Sequence, residues 1–357
     1  MTDLDGNAVA GVAVLFTLTG GGGSISGATP NTNASGIATL GTWTLGSSAG
    51  ANTVTAAGNS VTLTGAPITF TVNATAPVSN FSITLQNIGP ALSPARQAAF
   101  ENARLKWQSV IIGEVADVNV NGFNTGSSCA NQNLTGIVDD VLILFTLDSI
   151  DGPGQILGAA GPCFVRTTGR LPIIGLMRFD TADVANIEAS GQLNDVILHE
   201  MGHVLGYGTL WDDPQFNYLT GACSNAPTYI GPNALAAFTG SNGGTGTSVP
   251  VENFATGGCP NGTRDSHWEE DVFKSEVMTG FISGTVRPLS LTSVRQFQDL
   301  GYQVNPGAAD AFNINTQPTL RAGETAGPTL PLGNDILNIP LYTLDDQGRV
   351  RLLRDKK

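Results

Sequence analysis

The strongest chemical signal in the chain is the run His199-Glu200-Met201-Gly202-His203. On a helix, residues four apart lie on one face, so both imidazoles can reach a single metal ion. Glu200 then stands beside that metal, where it can take a proton from a bound water without being a ligand. The chain holds only three histidines. The third, His267, lies in Asp265-Ser266-His267-Trp268-Glu269. A catalytic zinc takes three protein ligands and leaves one position for water. The whole histidine content therefore matches one such site, with His199, His203 and His267 as ligands and Glu200 as general base. Glu269 and Glu276 are alternative donors for the third ligand position.

The elements that must position these groups are legible around them. Val196, Ile197, Val204 and Leu205 give the motif helix an apolar surface, and Gly206 permits a turn at its end. Upstream, Ser93 can cap a helix that starts at Pro94, with Phe100, Ala103, Trp107 and Val110 at helical spacing. Residues 137–147, 156–165 and 171–178 read as buried strands. Helix, strands, then the motif helix is an α/β order. Between Gly206 and His267 the chain is rich in Gly, Asn, Thr and Pro. A segment of that length is expected to be functional or locally folded. A last helix is expected over 292–300. A hairpin is expected from 336–342 and 349–353, with Pro340 confining its first strand to an edge.

Net charge is −13, and only 13% of the residues are charged. That balance argues against nucleic-acid binding, which needs a basic footprint, and against attraction to anionic membranes. No apolar run is long enough for a transmembrane helix. The four cysteines, Cys129, Cys163, Cys223 and Cys259, form no C-x-x-C pair, which disfavours a cysteine zinc site. Their even number in an acidic Gly/Thr/Ser/Asn-rich chain fits disulfides and an extracellular or cell-surface location. Of the three connectivities, local pairing of Cys129 with Cys163 and Cys223 with Cys259 is expected, because each closes a loop of similar length. The second would bracket the insertion that His267 must cross. Met1-Thr2-Asp3 runs straight into a turn sequence with no signal peptide, so the chain is expected to be truncated at its N-terminus.

Residues 1–76 contain no Lys or Arg. Val12, Val14, Phe16 and Leu18 alternate in strand fashion, and β-type runs follow at 37–45, 52–57, 60–64 and 68–74, separated by Gly, Asn and Ser. This stretch resembles the bacterial Ig-like domains of the invasin/intimin type. The matching residues include Thr2-Asp3-Leu4-Asp5-Gly6-Asn7, Gly36-Ile37-Ala38-Thr39 and Thr53-Val54-Thr55-Ala56. The resemblance implies a β-sandwich spacer over 1–76, with part of its first strand missing. Residues 76–78 read as the linker.

In the usual metzincin motif a third histidine follows a few residues after the glycine. Here that position is Thr209. The chain instead has His199-Glu200-Met201-Gly202-His203-Val204-Leu205-Gly206, a long insertion, His267-Trp268, then Ser275-Glu276-Val277-Met278-Thr279-Gly280 and Asp299-Leu300-Gly301-Tyr302. This pattern resembles the leishmanolysin family of metzincins. The resemblance implies an α/β peptidase domain over 77–314 and Zn2+ as cofactor. It implies hydrolysis of protein or peptide substrates by zinc-activated water, with Met278 in the turn beneath the metal. It places the substrate-binding strand edge near Leu157, Gly158, Ala159 and Ala160. Gly280, where astacins carry a tyrosine after the methionine, argues against an extra tyrosine ligand. No zinc-blocking propeptide cysteine is visible. The fold expected is thus multidomain: an Ig-like β-sandwich, the α/β peptidase domain and a C-terminal tail over 315–357 with a β-hairpin. The competing function is a surface adhesion or structural protein whose peptidase-like domain is inactive.

Overall fold

The computed structural model describes residues 1–21, 23–45, 50–74, 79–254, 259, 263–282, 286–316 and 330–355. The linker expected at 76–78 lies outside them. The chain divides into two compact units, Met1–Val78 and Ser79–Lys357.

The first unit contains β1 (Val14–Gly20), β2 (Gly23–Ile25), β3 (Trp43–Leu45), β4 (Gly50–Gly58) and β5 (Ile68–Ala74). An antiparallel sheet runs β1-β4-β5, and β2 pairs with β3 as a second antiparallel ribbon. Alternation along β1 turns Val14 and Phe16 inward against Val54 of β4, and Trp43 and Leu18 pack on this small core. The strand expected at 60–64 does not form: Ser60 takes a φ of +65°, which turns the chain out of the extended path.

The second unit starts with β6 (Ile83–Asn87), α1 (Pro94–Val110), β7 (Val118–Asn119), β8 (Ile137–Val138) and β9 (Val141–Asp148). It continues through β10 (Gly158–Arg166), β11 (Pro172–Asp180), α2 (Thr181–Ala189) and α3 (Leu193–Val204). Next come β12 (Leu219–Thr220), β13 (Thr228–Tyr229), α4 (Pro232–Thr239), β14 (Val249–Pro250) and α5 (Glu270–Phe273). It ends with β15 (Phe281–Ile282), α6 (Leu291–Asp299), β16 (Leu330–Pro331), β17 (Leu341–Leu344) and β18 (Val350–Arg354). No described helix is long and apolar enough to cross a membrane.

The central sheet has the order β18-β17-β10-β11-β9-β6. β6, β9 and β11 are parallel, whereas β10 runs antiparallel to β11. Every residue of β10 is buried, because both sheet faces are covered. On one face lie α1 and α3, whose side chains share the main core with Phe81, Ile143, Met177 and Phe179. On the other, Val118, Leu134 and Val138 pack on Leu142, Leu144 and Phe164, and the Cys129–Cys163 disulfide ties this layer to β10. The strand expected over 137–147 is two strands, because Asp140 between them takes a φ of +61°. α1 is capped as its sequence suggests: Ser93 Oγ accepts from the Arg96 N–H, and Pro94 opens the helix. The C-terminal hairpin of β17 and β18 joins the main sheet, with β17 parallel to β10 at Phe164–Tyr342. Pro340 stands just before β17, where its missing N–H costs no ladder bond.

Candidate metal centre

α3 carries the motif on its buried side, and every residue from Val196 to Val204 is enclosed. Two glycines let the helix sit where it does. A Cβ on Gly175 of β11 would stand 2.3 Å from Val204 Cγ1. A Cβ on Gly202, inside the motif, would stand 2.9 Å from Met278 Cε and 3.0 Å from Trp107 Cζ2. Gly202 thus leaves room for Met278 beneath the two histidines, and Trp107 Nε1–H fixes the helix from α1 by donating to Leu198 O at 2.9 Å. Past the helix, Gly206 takes a φ of +112° and the chain reverses.

His267 arrives from the far end of the insertion. That insertion is locally folded: β12, β13 and β14 form a small antiparallel sheet beside α4. Asp299 of α6 secures α4 by accepting from the N–H groups of Asn233 and Ala234 at its first turn. Cys223 and Cys259 form a disulfide. The Glu252 N–H donates to His267 O, and Trp268 N–H donates to Met278 O. Gly208, at a φ of +68°, lets the turn after α3 press on Ser266; a Cβ there would lie 2.2 Å from Ser266 O. Thr209 is not at the cluster, since its hydroxyl donates to His203 O at 2.8 Å.

These elements bring three imidazole Nε2 atoms to one point. His203 and His199 are 2.8 Å apart, His203 and His267 3.0 Å, and His199 and His267 3.1 Å. Each Nδ1 faces a backbone carbonyl: Val277 O for His199 at 2.6 Å, Tyr207 O for His203 at 2.9 Å, and Thr263 O for His267 at 2.7 Å. A carbonyl can only accept, so each Nδ1 carries the proton and directs an Nε2 lone pair inward. Three lone pairs converging in a buried pocket could hold a cation between them.

Two buried carboxylates complete the set. Neither oxygen of Glu200 has a hydrogen-bond partner among the described residues. Its carboxylate lies against the start of β10, where a Cβ on Gly158 would come within 3.1 Å of Glu200 Oε1. Burial, and then the charge of Asp335, raise the Glu200 carboxyl well above its ordinary range. Asp335 Oδ2 lies 3.0 Å from His267 Nε2, 3.3 Å from His199 Nε2 and 3.9 Å from His203 Nε2. Burial works upward on the Asp335 carboxyl, but the imidazoles of His267, His199 and His203 outweigh it and keep it ionised. Burial lowers His199 and His203; at His267 it is outweighed by the carboxylate of Asp335. Positive charge is favoured at this point whether a proton or a metal supplies it. Three neutral nitrogens and one carboxylate oxygen form a donor set that suits zinc, and the unpartnered Glu200 oxygens suit a water held beside such an ion.

The loop beneath the cluster is held by Glu276, which is 1% exposed. It accepts from Met278 N at 2.5 Å, Ser290 N at 2.8 Å and Ser293 Oγ at 2.5 Å. Glu269 borders Asn253. Neither glutamate belongs to the buried cluster, which consists of His199, His203, His267 and Asp335. Gly158, Ala159 and Ala160 open β10, with Leu157 just before it; Gly158 lies beside Glu200, and Ala160 is bonded to Asp335. Sequence reading missed Asp335. It sits in the tail, in Leu332-Gly333-Asn334-Asp335, at no spacing that relates it to the histidines. The one available signal was chemical, an aspartate between a glycine turn and an apolar run.

No curated protein matches the chain. The family model described as Leishmanolysin matches residues 114–318, more than half of the chain. The matched stretch contains His199, Glu200, His203, His267 and Met278 and stops short of Asp335. The chain belongs to the leishmanolysin family of metallopeptidases.

Proposed function

We propose that the chain is a secreted or surface zinc endopeptidase of metzincin type. The observation that carries this reading is the convergence of three Nε2 atoms beside a buried glutamate whose oxygens lack partners. His199, His203 and His267 would hold the metal, oriented by the carbonyls of Val277, Tyr207 and Thr263. When bound, zinc supplies the Lewis acidity that acidifies a water and polarises a carbonyl. Glu200 accepts the proton of the attacking water and returns it to the leaving amine. Met278, beneath the histidines, keeps the site floor apolar.

Substrate would bind as an extended strand against Leu157, Gly158, Ala159 and Ala160. Beside them lies a cavity of about 480 Å³, bordered by Ala159, Arg178, Asp265, Ser266 and Ile336. Residues 1–76 would be an Ig-like spacer: their two small antiparallel sheets form a compact unit without histidine or cysteine. The two disulfides suit an oxidising, extracellular setting.

One observation favours the inactive, adhesive alternative. Asp335 makes the donor set four protein groups, as in closed structural zinc sites. Zinc per chain and phenanthroline-sensitive cleavage of casein test the peptidase reading. The full chain should hold one zinc, His267→Ala should lose it at nanomolar free zinc, and Glu269→Ala should retain it. Retention of full zinc affinity by His267→Ala would move the third ligand elsewhere.

A further inference from the structure

His199, His203, His267 and Glu200 are each, as whole residues, no more than 1% exposed. A substrate carbonyl cannot reach them unless something moves, and the structure shows what covers them. After β16 the chain crosses the front of the site as a strap, residues 332–339. The Leu332 N–H donates to Gly280 O at one side. Gly333 then turns at a φ of +76°, so close to the opposite wall that a Cβ would lie 2.8 Å from Gln155 O. Next, the Ala160 N–H donates to Asp335 O at 2.7 Å and the Leu337 N–H to Ala160 O at 3.0 Å. These bonds make Ile336 a parallel bridge partner of Ala160. The strap therefore occupies the strand edge on which an extended substrate would lie.

We propose that the strap keeps the peptidase latent, with Asp335 as a fourth protein ligand in the position that water and substrate must share. This proposal rests on the zinc-peptidase reading and adds its regulation. Two features of Asp335 support it. It is fully buried, and its Oδ1 has no hydrogen-bond partner among the described residues. A buried carboxylate needs a positive partner, and among the described residues the groups that its Oδ2 meets are the three imidazoles. The strap is also protected from the site it covers. It presents a side-chain carboxylate to the histidines, while its own backbone carbonyl at Asp335 is tied to Ala160 on β10. A carboxylate is a poor electrophile, and no peptide carbonyl of this residue faces the cluster. Activation then means release of residues 332–339 from Ala160 and Gly280, not assembly of the catalytic groups, which are already in place.

The test uses the full chain reconstituted with one zinc, with acetohydroxamate as a probe of the fourth coordination position. Asp335→Ala and Asp335→Asn remove or weaken the ligand, and Gly333→Ala disturbs the strap without touching the metal site. Calorimetry should show acetohydroxamate binding at least tenfold tighter to Asp335→Ala than to the wild type, with a smaller gain for Gly333→Ala. Cleavage of a generic peptide should rise in the same order. Equal acetohydroxamate affinity in zinc-loaded wild type and Asp335→Ala would overturn the proposal and leave the peptidase reading standing. Loss of zinc from both Asp335 variants would also overturn it, by making Asp335 an indispensable structural ligand. A wild-type chain that binds no zinc would sink the peptidase reading itself, and latency with it.

Discussion

Glu276 offers a test of how the floor of the site is held. Its carboxylate is buried and accepts three donors: Met278 N and Ser293 Oγ at 2.5 Å and Ser290 N at 2.8 Å. Glu276→Gln keeps the shape but replaces one accepting oxygen with an NH2. The amide can keep Ser290 and Ser293 on its oxygen, which leaves the Met278 N–H buried opposite another donor. Loss of one charge-assisted bond and burial of an unpaired donor cost about 2–3 kcal/mol. In a unit the size of Ser79–Lys357 that corresponds to roughly 3–5 °C in Tm. The perturbation reaches the cluster through Val277 O, the acceptor for His199 Nδ1, and through Met278, whose carbonyl accepts from Trp268 beside His267. Loss of such an outer hydrogen bond weakens metal binding by about 10–100-fold without abolishing it. Thermal melts and zinc content should be measured on the same samples. An unchanged Tm would refute the anchoring role. A folded Glu276→Gln chain that binds no zinc would restore glutamate as a ligand.

Two further outcomes follow from the fold. The Cys223–Cys259 disulfide spans a sequence separation of 36, so replacing both cysteines with serine should cost about 4 kcal/mol by loop-closure entropy; an unshifted denaturant midpoint would contradict this. Asp180 caps α2 through Ala182 N and accepts the N–H groups of Ile150, Asp151 and Gly152. Burial pushes its carboxyl up, but these backbone donors outweigh it and hold it below the usual range. A depressed folded value contributes stability above the ordinary aspartate pKa and loses it as pH falls through the folded value. Asp180→Asn should therefore be less stable than wild type by about 2–3 kcal/mol at pH 6, with the gap closing below pH 4; a pH-independent gap would remove the titration from the explanation.

Much of the site was legible because its determinants are local or scarce. The spacing of His199 and His203 sets a shared helix face, and a chain with three histidines leaves His267 little alternative as their partner. The Ser93-Pro94 start of α1 and the buried runs of β9 to β11 rest on cap chemistry and periodicity, which are also local. What escaped is non-local. The break at Asp140 depends on a positive φ that a polar residue tolerates, next to Asp139 in a run that is mostly apolar. The joining of β17 to β10 depends on which strand edge the returning chain meets. Asp335 reaches the histidines through that return, and no spacing along the chain encodes it. Glu276 shows the opposite ambiguity: a buried carboxylate near a metal motif can ligate or brace, and only its three donors decide.

The most direct measurement compares zinc content and peptide turnover in the full chain and its Glu200→Gln variant, each with Asp335 intact and with Asp335→Ala. Glu200 contacts no described hydrogen-bond donor, so the substitution should leave one zinc per chain. Turnover should fall by about 10²–10⁴-fold, as expected for loss of a general base. Near-equal turnover with and without the Glu200 carboxylate, or zinc-loaded chains that cleave no peptide in either Asp335 background, would contradict the assignment of this site as a peptidase centre.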